Sequence, residues 1–166
     1  MRKRGVLMFL VLSLIFPIGI FAKTPTASVS KPAPTPVAYD LPYPGILPDH
    51  PLYFLKTIRD KIVDLFTSNP EKRVEFLLLM ADKRLVMGRL LMEKENEELA
   101  RSTISKGEKY FLRATEELVL LRKRNLESGD RLRERLRTAY KKHEEVVGGK
   151  WKDIDQLLMQ IEQNLR

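Results

Sequence analysis

Apolar side chains recur along most of this chain in steps that alternate between three and four residues. From Pro51 onward the pattern divides into five stretches, each with one apolar stripe, and predicts five helices. The first runs from Pro51 to Thr67, capped by Asp49, with the stripe Leu55, Ile58, Ile62 and Leu65. The second runs from Pro70 to Lys94, with Val74, Leu78, Ala81, Leu85, Gly88 and Met92. Ser68 and Glu71 are spaced as its capping box, and Asn69 is the competing cap. The third, capped by Asn96, runs from Glu97 to Leu126, with Ala100, Ile104, Gly107, Phe111, Ala114, Leu118 and Leu121. The fourth runs from Asp130 to Val147 after a stop at Ser128-Gly129, with Leu132, Leu136, Ala139, His143 and Val146. The fifth runs from Lys150 to Leu165 after Gly148-Gly149, with Trp151, Ile154, Leu158, Ile161 and Leu165.

A mean step near 3.5 residues is the period of helices packed almost parallel or antiparallel. No single helix can bury its own stripe. The expected fold is therefore all-α: an antiparallel bundle of about five helices, in which helices two and three form a long hairpin turning near Glu95 and Asn96. Gly88 and Gly107 lie on the stripes of that hairpin, where glycine costs about 1 kcal/mol relative to alanine. They are nearly equidistant from a turn centred near residue 97, so they are expected at similar heights as a point of close helix approach. The competing reading is one continuous helix through Asn96, because Lys94-Glu95-Asn96 is not a strong breaker.

The first fifty residues have a different character. Arg2, Lys3 and Arg4 precede an apolar run from Val6 to Phe16, then Pro17, Gly19 and a small residue, Ala22. This is the three-part pattern of a secretory signal, with cleavage expected after Ala22 or Ala27; the alternative is an uncleaved anchor helix. Both place the following chain outside the cytoplasm, secreted or tethered to the outer face of the membrane. Six prolines between Pro25 and Pro44 make an extended, semi-rigid spacer. The expected organisation is 1–22 signal or anchor, 23–44 proline-rich linker and 45–166 helical domain.

The entry to the first helix carries the most distinctive motif: Pro48, Pro51, Leu52, Tyr53 and Lys56, followed by Ala81, Arg84 and Leu85. These residues resemble a prokaryotic domain-of-unknown-function family, the one numbered 5667, with a Pro-x-x-Pro-Leu-Tyr-x-x-Lys entry and a later Ala-x-x-Arg-Leu. The similarity covers most of residues 41–147. It implies an exported helical module and no known activity. Members often carry an acid three residues after the arginine; Met87 stands there, which puts any salt bridge to such an acid in doubt. Physically, Pro48, Pro51, Leu52, Tyr53, Phe54 and Lys56 read either as a recognition strip or as a clasp between linker and bundle.

Composition narrows the chemistry. The chain has 166 residues, 43% hydrophobic and 31% charged, which suits one globular domain. Cysteine is absent, which removes disulfides, thiolate metal sites and a lipid-modified cysteine. The net charge is +8; without the three basic residues of the leader it is +5, 27 basic against 22 acidic. His50 and His143 are the only histidines, and His143 lies on an apolar stripe, where a core role outweighs metal binding. The acid pairs Asp60 with Asp64 and Glu93 with Glu97 lack neighbouring nucleophiles. No catalytic residue, metal ligand or cofactor-binding residue is assigned, and no enzyme activity is expected. Arg122, Lys123, Arg124, Arg133, Arg137 and Lys141 form a basic region suited to anionic lipid or an envelope polymer; nothing points to nucleic acid. The expected function is a non-catalytic interaction or structural module of the cell envelope, engaging a protein partner or a second copy. The alternatives are anionic lipid or polymer binding through the basic helices and a periplasm-type holdase using exposed Leu and Met.

Overall fold

A tight reversal at Lys94, Glu95 and Asn96 sets the architecture. The computed structural model describes residues 36–166; the leader and the linker as far as residue 35 lie outside the described residues. Five helices follow one another: α1 (Tyr53–Phe66), α2 (Pro70–Glu93), α3 (Glu97–Arg124), α4 (Leu126–Val147) and α5 (Lys152–Leu165). No strand occurs among the described residues, and no helix among them is long and apolar enough to cross a membrane.

Glu95 takes a φ of 60°, in the left-handed region, and ends any continuous helix. Lys94, Glu95 and Asn96 donate their amides back to Leu90, Met92 and Leu91, which satisfies the last carbonyls of α2. The Asn96 side chain then accepts from the Leu99 amide and starts α3. α2 and α3 return antiparallel along their length. Arg73 meets Glu117 at 3.0 Å, Gly88 meets Ala100 and Ile104, and Gly107 meets Ala81 and Arg84. Each pair is centred within about one residue of Glu95.

That centre corrects one expectation. With the turn at Glu95 instead of 97, the two glycines are staggered by about five residues, roughly 7.5 Å along the axis. Each serves its own contact. A Cβ on Gly88 would overlap Ile104 and stand 3.2 Å from the Ala100 carbonyl. A Cβ on Gly107 would stand 3.0 Å from the Arg84 Cβ and 3.3 Å from the Ala81 carbonyl.

At three helix starts the boundary or the cap departs from the first expectation. α4 begins at Leu126 and not Asp130, because the Asn125 side chain accepts from the Ser128 amide at 3.1 Å. Gly129 is therefore no stop. It lies in the first turns of α4, where a Cβ would overlap the Arg122 side chain of α3. The cap of α2 is Asn69, accepting from the Lys72 amide, and not the box from Ser68. Asp49 does not cap α1; it pairs with Lys94 at 2.7 Å, and α1 starts with no side-chain cap.

α4 and α5 close the same bundle over α2 and α3. One core cluster joins Val74, Leu77 and Leu78 of α2, Phe111 and Leu118 of α3, Leu136 of α4 and Ile161 of α5. A second joins Leu85, Ile104, Val147, Ile154 and Leu158. Each such fully buried side chain contributes about 1.5–3 kcal/mol. α1 differs from the other four: its stripe Leu55, Ile58, Ile62 and Leu65 faces outward, and its one buried residue is Asp60.

The Ile104 side chain occupies the space a Cβ on Gly88 would need. Gly88→Leu should therefore destabilise the chain by about 3 kcal/mol, and Ile104→Ala added to it should recover part of that loss. Urea denaturation of the single and double variants checks this; strictly additive losses would contradict a shared contact.

Candidate functional site

Among the described residues, polar side chains gather inside the core, along the arm of residues 36–44, on α1 and at the end of α5.

Inside the core, His143 of α4 is fully buried between two carboxylates from different helices. Its Nδ1 lies 2.8 Å from Glu108 Oε1 of α3, and its Nε2 lies 3.0 Å from Asp82 Oδ1 of α2. The Phe111 ring packs against the imidazole edge-on, with centroids 4.8 Å apart. Burial alone opposes a charge here. The charge of Glu108 and the hydrogen bonds to both carboxylates outweigh it, and His143 titrates at about 9, up from 6.5. At neutral pH the ring is therefore an imidazolium, donating from both nitrogens. His143, Glu108 and Asp82 are 0%, 0% and 4% exposed, so no substrate reaches them. The arrangement holds a charge in place and ties three helices together.

Stripe arithmetic placed His143 in the core but missed its partners. The signal was available: Asp82 lies four residues after Leu78, and Glu108 four after Ile104, so each acid falls on a buried stripe.

The arm continues from this network. The Tyr39 hydroxyl donates to Asp82 Oδ2 at 2.7 Å. Burial and that hydrogen bond push its pKa upward, so it remains a neutral donor. The Val37 amide donates to Glu145 at 2.9 Å, Leu41 packs against the second core cluster, and Pro44 is buried. Residues 37–44, the end of the proline-rich linker, thus lie along the helices.

The entry motif divides between two surfaces. Lys56 donates from Nζ to the Pro44 carbonyl at 2.5 Å and lies 5.9 Å from the Tyr53 ring centroid. Burial lowers its pKa to about 8. Tyr53 and Lys56 therefore form the clasp side, on which Pro48 is half-buried. Leu52 and Phe54 face solvent, 49% and 55% exposed, and Pro51 is exposed with them. Of the second motif, Ala81 and Leu85 are core residues. Arg84, which lacks the expected acid at Met87, is buried with its guanidinium 4.2 Å over the Tyr110 ring, and it donates to the Met80 carbonyl.

The basic region does not converge. Arg133 and Arg137 both donate from Nε to the Leu165 carbonyl, at 2.9 and 3.1 Å, and so cap the end of α5. Arg122 pairs with Asp130 at 3.0 Å. Lys123, Arg124 and Lys141 remain exposed.

Because the folded-state value for His143 lies above the unfolded one, its contribution to stability is complete below pH 6.5 and is lost as pH rises through about 9. Unfolding free energy should fall by roughly 2–3 kcal/mol from pH 6.5 to 9, and the ring protons should titrate near 9 by NMR. A ring that titrates near 6.5 would refute the imidazolium.

The family model of the domain of unknown function DUF5667 matches residues 45–154, from the start of the entry motif to the first turn of α5. No curated protein and no solved structure matches the chain at a significant level. The family match covers about two thirds of the 166 residues and includes all of α1 to α4, and so the chain belongs to the DUF5667 family.

Proposed function

We propose that this chain is a non-catalytic docking module of the cell envelope, in which α2–α5 form a rigid body that presents α1 to a surface outside the chain. One observation carries the reading: α1 turns its apolar side away from the body, with Ile58 and Ile62 each 51% exposed and Leu65 79%. A contiguous apolar side of this kind marks an interaction site, whereas single exposed apolar residues such as Leu79 or Met159 do not. The basic leader and apolar run of residues 1–22 support placement beyond the cytoplasm. The sealed position of the His143 network supports a structural and not a catalytic role for it.

The neighbouring readings have less support. α5 buries Ile154, Leu158, Ile161 and Leu165 against its own bundle, which leaves little of it to dimerise through. Binding of anionic polymer through α3 and α4 loses Arg133 and Arg137 to the cap of α5.

The test is photocrosslinking in the native host, with a photoreactive amino acid at Ile62 of the full chain and, as a control, at the exposed Gln160 of α5. Adducts should form at Ile62 in the membrane or exported fraction and be at least fivefold scarcer at Gln160. Equal yields at both positions, or a chain recovered free in the cytosol, would overturn the reading.

A further inference from the structure

α1 is mounted on the body by its polar side. Tyr53, Thr57, Asp60 and Asp64 recur at helical spacing and meet the bundle. Asp60 is buried, and Asp64 pairs with Arg73 and with Arg113, the latter at 3.2 Å. The opposite side carries Phe54, Leu55, Ile58, Ile62, Leu65 and Phe66, from 51% to 79% exposed. Tyr43 and Ile46 of the arm, 85% and 42% exposed, extend this surface beyond the start of α1. They meet it at a pocket of about 430 Å³ that Leu52, Leu55, Arg59 and Lys83 also line.

Charge decides what fits there. Both acids of α1 face the body. At 100° per residue, Lys61 flanks one edge of the apolar side and Arg59 the other. Lys61 is exposed, and Arg59 keeps 64% of its side chain exposed while bonding to Asp60. The outward half of α1 is thus an apolar centre between cations, with no acid. A second copy would set like charges against like. An anionic bilayer fits both features, because acyl chains accept the apolar side chains and headgroups accept the cations.

We infer that α1 is an interfacial membrane helix. It lies flat on an anionic lipid surface, its apolar side in the headgroup–acyl boundary, with Arg59, Lys61 and Lys83 at headgroup level. This rests on the docking reading above and names the ligand of that same side. A basic, apolar leader at residues 1–22 is the type of segment that brings a chain to a membrane.

The chain has no cysteine, so one introduced thiol reports one position. Leu65→Cys in the full chain is labelled with an environment-sensitive fluorophore, and Gln160→Cys serves as control. Both are mixed with phosphatidylcholine vesicles, with and without 30% phosphatidylglycerol, whose acyl chains carry bromine as a quencher. With anionic lipid the label at 65 should shift to the blue and be quenched, and the label at 160 should do neither. Ile58→Asp with Ile62→Asp should abolish quenching without moving the melting temperature, because both residues are half exposed. Removing phosphatidylglycerol should lower the ratio of quenched to unquenched label about tenfold.

No quenching at 65, or a blue shift without quenching, would overturn the proposal; the latter means a second copy or the leader covers α1. Equal quenching on both vesicle types would overturn the role of the cations. Protein adducts at Ile62 in cells combined with no lipid quenching would end the lipid assignment alone. Absence of both signals would end the docking reading with it.

Discussion

A histidine sealed inside a helical core must either shed its proton or sit against carboxylates that justify keeping it. Here the second solution holds, and the rest of the molecule connects to it link by link. The imidazolium of His143 takes one carboxylate from α2 and one from α3, which fixes the height of α4 against the hairpin. Asp82 has a second oxygen to satisfy and takes the Tyr39 hydroxyl. Tyr39 sets the path of the arm, the arm delivers the buried Pro44, and the Pro44 carbonyl receives Lys56 from the inner side of α1. A purely apolar core would pack as tightly, but apolar contacts slide. Buried charges with defined partners do not, because every displaced arrangement leaves one of them unpaired, at a cost of about 3–5 kcal/mol.

The same chain of contacts explains how α1 stays in an orientation that the hydrophobic effect disfavours. Six large side chains left about half to four-fifths exposed forgo on the order of 5 kcal/mol, comparable with the whole stability of a small domain. Turning α1 over would instead move Asp60 to the outer side and break the contacts of Asp64 with Arg73 and Arg113 and of Lys56 with Pro44. Reversal thus trades several charge-assisted contacts for apolar burial that α2, already covered by α3, α4 and the arm, has little surface left to supply. The body holds α1 through polar contacts and leaves its apolar side for something else.

How much of this was legible in the sequence depended on what each signal measures. Periodicity reports that a helix has two sides, so the stripes of α2, α3 and α5 were read correctly, down to Phe111 and Ile161. It does not report which side faces in, so α1 gave the same pattern while standing reversed. Glycine was ambiguous for a related reason. Gly129 has the composition of a stop and the packing of a close approach to Arg122, and only the Asn125 cap distinguishes them. Glu108 and Asp82 fall on stripes, yet an acid on a stripe has no default partner, and pairing it with a histidine on another helix requires the fold. The entry motif was read as one unit. In the structure its residues alternate between the clasp and the outer surface, as neighbours on a helix must.

The placement of charge, more than its amount, bears on function. A net +8 invites a search for an anionic partner, but many of the arginines behind it have structural work. Arg133 and Arg137 complete the last turn of α5, Arg84 lies over Tyr110, and Arg73 and Arg113 hold Asp64. A guanidinium suits these tasks because its donors are fixed in a plane and its weak hydration allows partial burial. The most densely basic stretch in sequence, around Arg131 to Arg137, is therefore a poor guide to a binding surface. α1 has fewer cations, but both of its acids are turned inward, and the outward half keeps one sign of charge around one apolar side. That segregation needs no large net charge.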